Sequence, residues 1–188
     1  MENRSRGSRR WVATVAAALL LQAGPVWGQD KAAKIPLAHG TSLAGTAVVL
    51  PDALKGKVGV LVLGFSHGSQ EQVANWGRLI TADYGQAQGL VYFEIPMLGG
   101  APKMIRGMII KSMGSSVPAA ERAHFIPLIE DDKPWRAVAH YDKANDAYVL
   151  LVDGDGMVLW QTQGDPTDAA YFAFKKKLDG VLGAGGAH

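Results

Sequence analysis

Residues 57–85, KVGVLVLGFSHGSQEQVANWGRLITADYG, constrain the fold of this chain more than any other stretch. Val58, Val60, Leu61, Val62 and Leu63 form a short, partly β-branched apolar run. Such a run reads as a strand buried on both faces, in the middle of a sheet covered by helices. Gly64-Phe65-Ser66-His67-Gly68 follows as a tight turn of mostly small residues, and then a helix begins. Ser69 and Gln72 have the spacing of a capping box, in which the hydroxyl accepts from a backbone amide and the longer side chain reaches back. Val73, Trp76, Ile80 and Tyr84 recur at helical spacing, and Gly85 is placed to end the helix in the left-handed conformation.

The first 28 residues read as an export signal. Arg4, Arg6, Arg9 and Arg10 precede the apolar run Trp11–Leu21, and Val26-Trp27-Gly28 offers a cleavage point. An uncleaved membrane anchor and a mitochondrial presequence are the rival readings, and Ser8-Arg9-Arg10 is a partial twin-arginine pattern. Four of the 19 basic and one of the 17 acidic residues lie in this leader, leaving 15 against 16. That near-neutral balance gives no support to nucleic-acid binding, which calls for a basic face. The expected location is periplasmic or extracellular.

About 160 residues remain after the leader, enough for one domain with its own core. Residues 29–40 read as a linker, 41–182 as the domain and the Gly/Ala-rich 183–188 as a disordered tail. The chain has no cysteine, which excludes thiol redox chemistry and thiolate metal sites.

Along the domain, 43–50 reads as one or two short strands, and 90–95 (LVYFEI) as a second buried strand. Pro102 is expected to open a helix running to about Met113. A strand at Phe125–Ile129 and a helix around Pro134–Tyr141 follow. Ala147–Val152 and Met157–Gln161 read as strands of a hairpin turning at Asp153-Gly154-Asp155-Gly156. Asp165 and Pro166 are expected to start a last helix, packing through Ala169, Phe172, Leu178 and Val181. Strand–helix–strand–helix, an insert, a hairpin and a helix make an α/β domain of thioredoxin-like order: a parallel βαβ half, then an antiparallel ββα half, giving a central mixed sheet flanked by helices.

VGVLVLGFSHGS…NW resembles the active-site strand and turn of the thioredoxin-like superfamily. FSHGSQEQ is similar to the turn of Sco-type copper chaperones, more distant relatives together with TlpA-like proteins; on that alignment Gly68 and Gln72 stand where the cysteines would be. ERAHFIPLIEDD and DAYVLLVDGDGMVLWQTQGDP resemble the cysteine-less mitochondrial ATP synthase assembly factor family and its bacterial relatives. That resemblance covers the last third of the chain and the first strand–helix, and implies an assembly chaperone. Redox thioredoxins also place a cis-proline before the strand matching Ala147–Val152; here Lys143-Ala144-Asn145-Asp146 precedes it.

The residues also suggest other chemistry. Gly64–Gly68 spells G-x-S-x-G between strand and helix, which in α/β-hydrolases lifts a nucleophilic serine, and Asp153 and His188 follow in the right order. Too little chain precedes the turn for a hydrolase sheet, and His188 ends a glycine tail. His67 suggests a metal or small-molecule carrier, but His39, His124 and His140 are scattered and a site needs three or four ligands. Asp153 and Asp155 hint at calcium, yet a hairpin turn accounts for them. Met97, Met104, Met108 and Met113 fall in or beside one helix among Lys103, Arg106 and Lys111. A core-facing stripe is the plainer reading; an adaptable surface for a protein partner or for peripheral membrane contact is the other. Cu(I) binding by the thioethers lacks clustered histidines, and Lys175–Lys177 read as a solvated helix face.

The sequence therefore leads us to expect a protein-binding factor without enzymatic activity, cofactor or metal, an assembly or chaperone factor for a membrane or envelope complex. Its contact residues would be Phe65, Ser66, His67 and Ser69 in the turn, with Met104 and Met108 on the methionine helix. The alternatives are a small serine hydrolase using Ser66 and a carrier using His67.

Overall fold

The computed structural model describes residues 33–185; the expected leader, the first residues of the expected linker and His188 lie outside them. Two strands, β1 (Ala38–Thr41) and β2 (Ala47–Leu50), form an antiparallel hairpin. The main sheet contains β3 (Val58–Gly64), β4 (Leu90–Pro96), β5 (Ala147–Val152) and β6 (Val158–Gln163) in the order β4-β3-β5-β6. β3 runs parallel to β4 and antiparallel to β5, and β6 runs antiparallel to β5. Among the described residues there are four α-helices: α1 (Gln70–Tyr84), α2 (Lys103–Ser116), α3 (Lys133–Val138) and α4 (Asp168–Gly185). This is the thioredoxin-like α/β arrangement read from the element order.

β3 is central because its side chains satisfy two cores at once. Leu61 and Leu63, with Phe93, Ile95, Leu150 and Val152, point to one face. There they meet Ile35, Leu50, Leu54, Ile126, Leu128 and Trp135. Val60 and Val62, with Tyr92, Val149 and Leu151, point to the other face. That face is covered by Val73, Trp76 and Ile80 of α1 and by Phe174 and Leu178 of α4. The period-two alternation of a strand divides one apolar run between two cores. Each fully buried aliphatic side chain contributes about 1.5–3 kcal/mol. Trp76 is fully buried and its Nε1 donates to the carbonyl of Gly164 at 2.8 Å, so α1 is fastened to the end of β6.

Several expectations need correction. The 29–40 linker is structured from residue 34: Lys34 bridges to Met157, the amide of Ile35 donates to Gly156, and Ala38 begins β1. Gly85 is right-handed and the positive-φ residue is Gly89, beyond the helix. Phe125–Ile129 makes only two isolated bridges, Phe125 with Glu94 in β4 and Leu128 with Met97 just past it, because Pro96 lacks the amide that would donate to the Ile126 carbonyl between them. α4 starts at Asp168, with the Thr167 hydroxyl accepting from the amide of Ala170, so the Asp165–Pro166 start is displaced. In α4 Phe174 is buried while Phe172 is 70% exposed. The helix also runs on through the first residues of the expected tail, to Gly185.

Candidate functional site

The end of β3 sets the site. Phe65 leaves the sheet and turns inward, edge-on to Tyr141 and Tyr148 at ring distances of 5.0 and 5.5 Å. The Arg136 guanidinium lies over Phe65 and Tyr141, 4.9 and 3.9 Å from their centres, and is held by Asp132 at 2.9 Å. The Tyr148 hydroxyl accepts from the amides of Asp142 and Lys143, tying the loop before β5 to the same platform. Ser66 is extended, and His67–Ser69 make one 3₁₀ turn into α1.

On this platform Gly68 and Gln72 are each engaged by a distant part of the chain. The carboxamide of Asn145 lies against Gly68, so a side chain at position 68 would collide with it. The Ser66 hydroxyl donates to Asn145 Oδ1 at 3.0 Å and holds it there. Gln72 does not cap α1: its Oε1 accepts from the amide of Ala147, 2.9 Å away at the start of β5. The Ser69 hydroxyl donates instead to the Ser66 carbonyl, 2.9 Å. The capping-box pattern is thus present in sequence and unused, its glutamine drawn off by a buried strand amide.

Of the residues expected to touch a partner, Ser66 is half-buried and His67 exposed, whereas Phe65 (8% exposed) and Ser69 (0%) are buried supports. Those two are corrected from contact residues to platform residues: an aromatic side chain at a strand end is worth more in the core than in water. Met104 and Met108 are fully on the surface and α2 has no buried residue, so the core-facing stripe is overturned. Met97, by contrast, is buried. The turn and α2 do not share a single cluster of side-chain contacts.

The hydrolase reading fails on geometry. Gly64 is paired with Ala147 and Gly59 with Val152, so Ser66 and Asp153 lie beyond opposite ends of the sheet. At about 3.3 Å per residue the length of β5 alone separates them by roughly 20 Å. Asp153 closes its own hairpin, its Oδ1 accepting from the amides of Asp155 and Met157. Gly156 is needed there, at φ +81° and packed on Pro51 and Ile35. His39 faces the hairpin groove, His124 stacks near Tyr92 and His140 contacts Gln161. Among the described residues no three His, Cys, Asp or Glu side chains converge as a metal site.

One polar group escaped sequence reasoning although its signal was visible: Glu94, a lone acid inside LVYFEI. It lies under α1, 5% exposed, accepting from the Tyr92 hydroxyl through one oxygen while Oε2 has no protein partner. Gly77 permits this, since a side chain there would strike the Glu94 carboxyl. Burial raises the carboxyl to about 7, with Glu121 adding to the rise and the Tyr92 bond opposing it. Asn145 and Arg136 were also missed; neither sits in a recognisable motif.

Residues 20–180 match the family described as ATP10 protein. No curated protein matches the sequence significantly. Among solved structures, a protein described as a thiol:disulfide interchange protein, DsbE, from Chlorobium tepidum superposes with TM-score 0.56 at 20% identity, over 82% of this chain and 99% of that one. The pneumococcal exposed lipoprotein thioredoxin Etrx1 from Streptococcus pneumoniae gives 0.53 at 12% identity, over 76% and 99%. BsSco, a member of the Sco family of cytochrome c oxidase assembly proteins, gives 0.51 at 16% identity, over 77% and 92%. At these identities the likeness shows the thioredoxin-like fold alone.

Proposed function

The chain belongs to the ATP10 protein family, and on that footing we propose that it is an assembly factor that binds a protein partner and does not catalyse a reaction. The observation that carries this reading is the filled turn. On the resemblance to Sco-type proteins the thiol positions fall at Gly68, where the Asn145 carboxamide fills the space of a side chain, and at Gln72, which is bonded to a strand amide. Hydrogen bonds hold the turn on the platform, so it is an ordered polar surface formed by Ser66, His67, Gly68 and Asn145. Such pre-ordering lowers the cost of binding.

In this reading the partner is a subunit of a membrane or envelope complex, met after export of the chain and held until it is assembled. The family relationship and the leader-like first 28 residues support that context.

The test is recovery from the native host. Tagged full-length chain is cross-linked, the membranes are solubilised and the co-purifying proteins identified, alongside a Ser66→Ala/His67→Ala variant. One membrane complex recovered with the wild type and lost with the variant is the expected result. Recovery of no specific complex, or equal recovery with the variant, removes the turn from the proposal.

A further inference from the structure

Among the described residues six large apolar side chains are exposed, and three lie on α2: Met104 at 96%, Ile105 at 38% and Met108 at 66%. A fourth, Ile129, adjoins them, its carbonyl accepting from Arg106 Nη1 at 2.9 Å. Arg106 also donates to the carbonyls of Gly99 and Ala101, at 2.7 and 2.8 Å. These bonds fix the inner side of α2 to the body and leave the Met104–Met108 stripe facing outward. Beside the helix a cavity of about 540 Å³ continues the apolar surface past Ile110, Pro127 and Ile129. An apolar surface of this extent marks a contact site.

Charge identifies what it contacts. Residues 95–120 contain Lys103, Arg106 and Lys111 and no acid, whereas the rest of the described chain has 11 basic and 15 acidic residues. Of the flanking acids, Glu94 is buried and bonded to Tyr92, Glu130 accepts from the His39 amide, Asp131 from the Lys133 amide and Asp132 pairs with Arg136, while Glu121 is exposed beyond the C-terminal end of α2. Lys103 and Lys111 stand at the two ends of the methionine stripe. Lysine stems can lie along apolar surface while their ammonium groups reach a layer of anionic headgroups. Methionine adapts to an irregular apolar boundary. We propose that α2 is a docking helix that lies on an anionic phospholipid bilayer, Met104 and Met108 entering the headgroup–acyl boundary between Lys103 and Lys111. A second copy meeting this face through its own α2 is disfavoured as occupant, because it would set like charges against each other. No helix of the described residues is long and apolar enough to cross a membrane, in keeping with a helix that lies in the interface plane.

The chain has no cysteine, so one introduced thiol gives one label. Full-length Ser112→Cys, on the exposed side of α2, and Phe172→Cys, on α4 beyond the opposite sheet face, are labelled with an environment-sensitive dye. Each is mixed with phosphatidylglycerol/phosphatidylcholine vesicles or with phosphatidylcholine alone. The dye at 112 is expected to brighten and shift blue only with the anionic vesicles, and the dye at 172 to remain unchanged. Lys103→Glu/Lys111→Glu in the Ser112→Cys background should weaken partitioning by about fivefold or more per charge removed. Met104→Ser/Met108→Ser should abolish the shift with Tm preserved, since both side chains are exposed. The proposal is overturned by no response at 112, as when the leader alone binds, or by an equal response to neutral vesicles. It is overturned equally by a vesicle-independent shift that grows with protein concentration, which would mark a second copy as the occupant.

Discussion

The carboxamide of Asn145 occupies the space that a side chain on Gly68 would need. Two residues 77 positions apart therefore limit each other's size. Gly68→Ala should cost about 0.5–1.5 kcal/mol, the worth of the Ser66–Asn145 hydrogen bond it displaces. In an Asn145→Ala background the same change should be nearly neutral. A urea-denaturation double-mutant cycle reads the coupling, and additive effects would contradict the packing.

Gln72 reaches across to the first amide of β5. Gln72→Leu leaves the buried Ala147 amide without an acceptor and should destabilise the fold by about 1–3 kcal/mol. Gln72→Glu retains an acceptor oxygen and should lose less. If the side chain acted as a local helix cap, both changes would instead fall near the smaller capping value, and hydrogen exchange at Ala147 would not change.

Glu94 makes stability depend on pH in the opposite sense to a salt-bridged acid. Its ordinary value is 4.5 and in the fold it is about 7. Below pH 4.5 both folded and unfolded chains hold the proton and nothing is lost. Between 4.5 and 7 the unfolded chain releases it first, so stability falls as pH rises, by up to about 3 kcal/mol in total. Above 7 the loss is complete and the slope disappears. Chemical denaturation across this range should show the decline, and Glu94→Gln should remove its contribution. The difference between the two proteins is the quantity to read.

The last helix separates two phenylalanines two residues apart. Phe174→Ala should cost about 3–5 kcal/mol, and Phe172→Ala should stay within about 0.5 kcal/mol of zero. Comparable losses at both positions would place α4 in another rotation.

How much of this was legible follows from range. β3, α1, β4, β5 and β6 were readable because each carries a continuous apolar run or stripe whose burial is decided locally. Phe172 was misread although the spacing pointed the other way: Phe174, four residues before Leu178 and seven before Val181, shares their helix face and packs on Trp76 and Tyr84, while Phe172 is turned about 120° from Leu178. The AHGT of β1 has no strand-like pattern and exists through pairing with β2 and the contact of Gly40 with Ile126. Met104 and Met108 keep one spacing whether they face core or solvent, so periodicity could not orient them. In the turn, His67 and Ser66 were correctly placed at the surface end of β3. Asn145 and the true role of Gln72 depend on bonds spanning more than 70 residues, which no local pattern encodes.

Because β3 divides its side chains between two cores, the sheet also works as a partition in the history of the molecule. On one side two long helices cover it in large pieces, and a change there is felt along the whole of α1 or α4. On the other, a hairpin, a short helix and the strap that carries Ile126 and Leu128 form the cover from small parts. Small parts can be exchanged one at a time without loosening the opposite core. The side that carries the groove and α2 is therefore the side on which descendants of this chain can change what they rest against while the turn above β3 stays fixed.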